Sequence, residues 1–385
     1  MNIKLGSIPD SHYHDYRLSV MFDGYKWDLQ AGDESTISDK VVLLEPSDAQ
    51  FLAENAVRLY HETVKMEHAL RTRPELVREL GISEEMTTAL CNSNYDPTAH
   101  VRYMRFDFHP TRGGWMISEV NSDVPAGYPE ASVLPRLAQG YFGGYSQHGC
   151  FGEALAERIK THVAPGATIA YLYDTHTVED YQIVHYIGDL MEKSGYKSMY
   201  ASPEHIIWQD NMAVNADAIL RHYPAEWMEC TPCVNWQEFV SSQTPSLNHP
   251  TALLTQSKRL PIVWDRLGVD VLTWKRLLPE TKCASALRND HGWILKPAFG
   301  RVGEGINIPG TTSDEEEQAI RQAASDDPSQ WVAQKMFESV PVDGLHLSFG
   351  VFVIDGQFAG FFSRGNSKPR MDSDASEMPI LVRQQ

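Results

Sequence analysis

Two short runs in the first third of the chain carry residue types that could do chemistry: Arg105-Phe106-Asp107-Phe108 and Ser118-Glu119-Val120-Asn121. Between them, His109-Pro110-Thr111-Arg112-Gly113-Gly114 reads as a turn, because proline and paired glycines suit its backbone angles. Both runs alternate with a period of two. Met104, Phe106 and Phe108 share one face and Arg105 and Asp107 the other; in the second run Met116, Ser118 and Val120 oppose Ile117, Glu119 and Asn121. A hairpin turning near Gly113 sets Asp107 across from Glu119 and Arg105 across from Asn121. Carboxylates held that close repel unless a cation sits between them, and an all-oxygen donor set without Cys or His suits Mg²⁺. The same spacing also suits an ordinary surface hairpin with cross-strand salt bridges.

A second cluster lies in the last third. Trp293-Ile294-Leu295-Lys296-Pro297 reads as a buried strand ending in a lysine, followed by Ala298-Phe299-Gly300-Arg301-Val302-Gly303-Glu304-Gly305. Glycines let backbone N–H groups approach anionic oxygens, and Lys296 and Arg301 would offset phosphate charge where water is excluded. The loop is no P-loop, since no helix follows directly and Gly-Lys-Ser/Thr is absent; a plain hairpin turn is the alternative. Lys258, taken alone, reads as a surface lysine. An early oxygen cage and late phosphate-grasping cations complement each other around a Mg²⁺-bound triphosphate.

The elements that must position these groups follow from the rest of the chain. Its 385 residues fit two or three packed subdomains. A net charge of −18 argues against nucleic acid or an anionic membrane as the main partner and permits an amine-bearing substrate. The N-terminus shows no apolar h-region and no run has the length of a membrane span, so a cytoplasmic location is expected. Cys91, Cys150, Cys230, Cys233 and Cys283 form an odd, sparse set, expected to be free thiols, mostly buried. Cys230-Thr231-Pro232-Cys233 has redox or zinc spacing, but no second pair stands at a finger-like distance.

Residues 1–45 read as irregular. A helix is expected from Ser47, capped by its hydroxyl with Gln50 reaching back, to about Arg71, and a shorter one near Ser83–Leu90. The run Asp123–Glu130 reads as a loop at the mouth of a site, leading into a helix near Ala131–Gln139. Strands at Ala167–Tyr173 and near Lys197–Ala201 flank a helix near Val178–Ser194, which suggests a small parallel αβ unit. Residues 241–250 read as a connection. Further on, strands are expected near Ile306–Ile308 and at Trp331–Phe337, a helix capped by Ser313 with Glu316, and a hairpin turning at Asp355-Gly356.

In order along the chain, Phe22-Asp23-Gly24…Trp27, Arg105–Phe108, Glu119–Asp123, Tyr223-Pro224-Ala225-Glu226-Trp227-Met228, Ser257-Lys258, Lys296-Pro297…Gly300-Arg301, Gln334, and Arg364-Gly365 before Pro379–Val382 resemble the glutathionylspermidine synthase-type ligases. The resemblance covers nearly all of the chain. It implies an α+β / α/β architecture with a circularly permuted ATP-grasp fold: metal-binding part in 1–150, a pre-ATP-grasp αβ subdomain in 151–245, nucleotide lid and C-terminal part in 246–385. It further implies Asp107, Glu119 and Asn121 as Mg²⁺ ligands, and Arg105, Arg301 and Arg364 as catalytic. ATP would be held by Lys258, Lys296, Gly300 and Gly303, with Gln334, Lys335, Met336 and Phe337 as the adenine-side hinge. The implied reaction is ADP-forming ligation of a small-molecule carboxylate, an amino acid or peptide, to an amine. A carrier-protein thiol as acceptor and a non-catalytic ATP-binding protein are the alternatives. Where the family reads Asn-Ala-Asp-Thr-Pro-Thr, this chain has Asn121-Ser122-Asp123-Val124-Pro125-Ala126, so the family's own substrates are not carried over.

Overall fold

The computed structural model describes residues 1–27, 30–31, 34–287, 292–301, 303 and 305–384. Val302 and Glu304 of the glycine-rich loop lie outside the described residues. The fold is a mixed α+β arrangement of several sheets.

At its centre is a five-stranded antiparallel sheet in the order Ser376–Met378, Gln357–Asn366, His346–Ile354, Tyr103–Thr111, Gly114–Asn121. Met104, Phe106 and Phe108 point from one face into a core with Leu52, Leu59 and Met66 of the Pro46–Leu70 helix. Each such aromatic, fully buried, contributes roughly 1.5–3 kcal/mol. The other face changes character along its length: Tyr103, Phe352 and Ile354 pack against Tyr128 and Phe151, while Arg105 and Asp107 open into a cleft. The His346–Ile354 and Gln357–Asn366 hairpin turns at Asp355 (φ 45°) and Gly356 (φ 78°), the double positive φ of a tight hairpin turn. Asp355 then caps the adjoining strand by accepting from the Arg102 amide at 2.9 Å.

The expected parallel unit is present, with strands ordered Ser246–Leu247, Ala218–Arg221, Thr168–Leu172, Lys197–Ala201 and the Val178–Glu192 helix packed on it. A three-stranded antiparallel sheet of Thr281–Cys283, Trp331–Lys335 and Trp293–Pro297 carries Lys296. The Asp314–Asp326 helix covers it through Ile320 and Ala324. That helix starts as expected, Ser313 Oγ accepting from the Glu316 amide at 3.2 Å, a cap worth about 1 kcal/mol.

Four expectations need correction. Residues 1–45 are not irregular: Ile3–Ser7 and Lys40–Leu44 pair antiparallel, with the Asp10–Asp23 helix between them. The long helix begins at Pro46 rather than Ser47, with Glu45 at its N-cap and no side-chain cap; proline at the first position already fixes the helical φ. Residues 306–308 form no strand; instead Asn307 Oδ1 accepts from the Leu295 amide at 2.5 Å, so a side chain replaces a ladder. The cysteines are free but not buried, Cys230 and Cys233 being exposed. Among the described residues no helix is long and apolar enough to cross a membrane.

Candidate active site

The hairpin has the register read from the sequence: Asp107 pairs with Glu119 and Arg105 with Asn121. A bulge between Asp107 and Phe108 breaks the simple alternation, so Phe108 faces Ile117 and Ser118 is the extra residue. Trp115, Ile117 and Val120 therefore fill the core, while Ser118 and Glu119 in succession both line the cleft. Ser118 Oγ lies 3.0 Å from His109 Nε2. Burial pushes the His109 imidazole down to about 4, keeping it neutral beside the carboxylates.

Arg105 lies flat along its own strand, Nε and Nη2 donating to the two Asp107 oxygens at 2.8 and 2.9 Å and Nη1 to the Ala126 carbonyl at 2.7 Å. Its guanidinium sits 5.0 Å from the Phe362 ring. Asn121 Nδ2 donates to Asp107 Oδ2 at 3.0 Å. The late cations arrive from the other side. Lys258 Nζ lies 3.1 Å from Glu119 Oε2 and donates to the Gly300 carbonyl at 2.6 Å. Lys296 Nζ donates to Gln334 Oε1 at 2.8 Å, with the Ser118 carbonyl at 3.4 Å. Burial works against an ionised Glu119, but Lys258 and Lys296 prevail and hold its carboxyl below the usual range. Burial pushes the Lys296 ammonium down to about 8, Glu119 opposing this and Lys258 adding to it.

These groups border one cleft of about 470 Å³, whose walls include Arg105, Asp107, Glu119, Asn121, Lys296, Arg301, Gly303, Met336, Phe337 and Arg364. Lys258 and Gln334 line a small adjoining cavity of about 30 Å³, which Glu119 and Lys296 border as well. Gly300 contributes its carbonyl rather than a cleft wall. Lys335 is exposed, paired with Trp293 at the end of the sheet's middle strand, and lines neither space. Arg364, in the strand Gln357–Asn366, is turned onto the loop that follows that strand, donating to the Asp372 and Ala375 carbonyls.

Some of the positioning residues have no obvious sequence signature. Asn248, inside the stretch read as a mere connection, exchanges hydrogen bonds with the Tyr103 backbone at 2.9 Å in both directions and donates to the Asp123 carbonyl at 2.8 Å. It thereby fastens the hairpin to the loop that follows Asn121. Asp123 is fully buried against Arg221, and its Oδ2 accepts the Ala225 amide at 2.9 Å. At the far end of the cleft, Lys26 is buried between Glu130 (2.9 Å) and Glu377 (3.1 Å). Asp123 lies in the quoted run Glu119–Asp123, and Gly350 carries a signal of its own, since a glycine inside an apolar strand marks close approach.

Two carboxylates and a carboxamide on one hairpin, met by Lys296 from a separate sheet and by Lys258 from the turn between the short helices Leu253–Gln256 and Leu260–Val263, bring charges of opposite sign around one cleft. The fold is shared with a glutathione synthetase-like effector from Globodera pallida in its apo form, at 10% identity over 86% of this chain and 87% of that one, with a TM-score of 0.58. A putative gamma-glutamylcysteine synthetase from Methylobacillus flagellatus aligns at 11% identity over 83% and 86% of the two chains, with a TM-score of 0.48. Comparison with curated protein sequences gives no match. The chain belongs to the glutathionylspermidine synthase preATP-grasp family, whose profile matches residues 9–383.

Proposed function

We propose that this protein is an ATP-dependent ligase of the ATP-grasp kind, circularly permuted so that the metal-bearing hairpin precedes the nucleotide lid. It would activate a small-molecule carboxylate, an amino acid or peptide, as an acyl phosphate and join it to an amine, releasing ADP and phosphate. Family membership supports the reading, and the observation that carries it is the meeting of Glu119 with Lys258 at 3.1 Å, above the buried Lys296.

The donors fit Mg²⁺. Among the described residues no three of His, Cys, Asp and Glu gather into a metal cluster. The all-oxygen set Asp107, Glu119 and Asn121 would suit a hard cation that completes its shell with water and phosphate oxygens. Glu119 is held ionised by the lysines, as such a ligand must be. Bound there, the cation would offset charge on the transferring phosphoryl group. In this reading Lys258 and Lys296 grip the ATP phosphates, and Met336 and Phe337 border the base. Arg105, fixed by Asp107 and Ala126, faces the oxygen that gains charge during transfer. Arg301, from the glycine-rich loop, and Arg364, from the strand Gln357–Asn366, reach the same cleft and add positive charge where water is being excluded.

The test is a nucleotide-product assay with MgATP against pooled carboxylates and amines. ADP released only when both substrates are present is the expected result. AMP with pyrophosphate would replace this mechanism by adenylation, and MgATP binding without acceptor-dependent ADP release would mark a nucleotide-binding protein instead.

A further inference from the structure

Arg301 is held from outside its own loop. Its Nη2 donates to Glu226 Oε1 at 2.8 Å, and its guanidinium lies 5.1 Å from the ring of the neighbouring Trp227. The contact is single-pronged: among the described residues Glu226 Oε2 and Arg301 Nε are buried without a partner. A bidentate arginine–carboxylate pair uses both oxygens; this one leaves donor and acceptor capacity over. The pair also stands at a boundary. Arg301 and Trp227 line the main cleft, whereas Glu226 lines a separate cleft of about 420 Å³ together with Phe299 and Glu229.

The short Ala225–Met228 helix carrying Glu226 is not free to drift. The Ala225 amide is bound by Asp123, itself locked to Arg221 and two residues beyond Asn121. Glu226 is thus fixed in the frame of the hairpin, while the arginine it holds belongs to the loop following the Lys296 strand. Resting on the proposed function, we infer that Glu226, with Trp227, is a positioning residue. It holds Arg301 at the cleft wall by one nitrogen and leaves the remaining N–H groups for an anionic ligand, the phosphate tail of MgATP.

Such a residue sets where the arginine's charge is delivered without itself adding affinity for an anion, because a carboxylate beside the cleft opposes one. Glu226→Gln keeps the side chain's shape and removes its charge. The expected result is a kcat about tenfold lower, with MgATP binding by calorimetry no weaker than in the native protein. In an Arg301→Ala background the same change has no further effect on either quantity, because the two residues act as a unit. Trp227→Leu reproduces the kcat loss in milder form, again only while Arg301 is present. The inference is overturned if Glu226→Gln binds MgATP tenfold more weakly, or if its loss adds in full to that of Arg301→Ala. A native protein that does not bind MgATP overturns the functional reading along with it, whereas native binding and turnover with additive variants overturn the inference alone.

Discussion

Gly350 lies directly beneath Arg105: a Cβ at this position would meet Arg105 Cδ at 2.7 Å and the Phe362 ring at 2.9 Å. Gly350 pairs with Asp107 across the sheet, so the missing side chain clears the path along which Arg105 reaches Asp107. Gly350→Ala is expected to displace the guanidinium from both its partners. Turnover should fall about 10²-fold, comparable to losing one aligned charge at a reacting centre. Stability should fall by about 1–3 kcal/mol, as for other overpacked sites. Steady-state kinetics with a urea melt checks it; unchanged turnover would show that Arg105 is not placed by this glycine.

Lys258 faces a carboxylate, so removing it should do two separable things. Lys258→Ala should lower kcat/KM by about 10²–10³ and also destabilise the fold, because the part-buried Glu119 loses its salt-bridge partner and is left with Lys296 alone. Adding Glu119→Gln should recover much of the stability and none of the activity. Near-full turnover of Lys258→Ala at saturating ATP would remove the lysine from the site's chemistry.

The Lys296 ammonium is pushed down to about 8 by burial, and a phosphate tail beside it would favour the charged form. Its contribution to MgATP affinity is then complete below about pH 8 and is lost as pH rises through that value toward the higher value of the bound state. Affinity should weaken by about tenfold per pH unit just above pH 8. Calorimetric titrations across that range check the slope, and Lys296→Arg, whose charge persists, should flatten it.

Asp123 and Arg221 form a fully buried ion pair that fixes the loop after Asn121. Burial opposes ionisation of Asp123, yet Arg221 and the Ala225 amide prevail and hold its carboxyl below the ordinary aspartate value. The stability this supplies is present above the unfolded-state value and is lost as pH falls through the lower folded one. Asp123→Asn should cost about 3–5 kcal/mol by leaving Arg221 buried and uncompensated. Thermal melts between neutral and acid pH should also show a shallower acid decline in the variant.

Much of this arrangement could be read beforehand because it is local. The pairing of Asp107 with Glu119 is reached by centring the hairpin on Gly113, although the turn itself is Arg112-Gly113 and a bulge supplies the odd residue, and the strand Trp293–Pro297 follows from a run of apolar residues ending at a lysine. The bulge at Ser118 was not legible, since either register buries an apolar set and only the neighbouring strand, with Phe349 against Phe108, decides between them. The first 45 residues misled for a related reason. Lys40–Leu44 is a strand held between Ile3–Ser7 and Ile380–Arg383, the second of which is more than three hundred residues away. Asn248 and Glu226 act through contacts with residues far away in the chain, Tyr103 and Asp123 for the one and Arg301 for the other, which no period or spacing encodes.

The central sheet has a further consequence for how the chain is made. The strand Tyr103–Thr111 that bears Arg105 and Asp107 has its inner neighbour in His346–Ile354, and Lys40–Leu44 is flanked by Ile380–Arg383. On the ribosome both must wait, edges open, until nearly the whole message has been translated. The apolar face of Met104, Phe106 and Phe108 is then only half covered for most of synthesis. Fragments ending before residue 346 leave the edge of Tyr103–Thr111 that faces His346–Ile354 unpaired and are expected to aggregate rather than merely lack activity, which the solubility of such truncations checks.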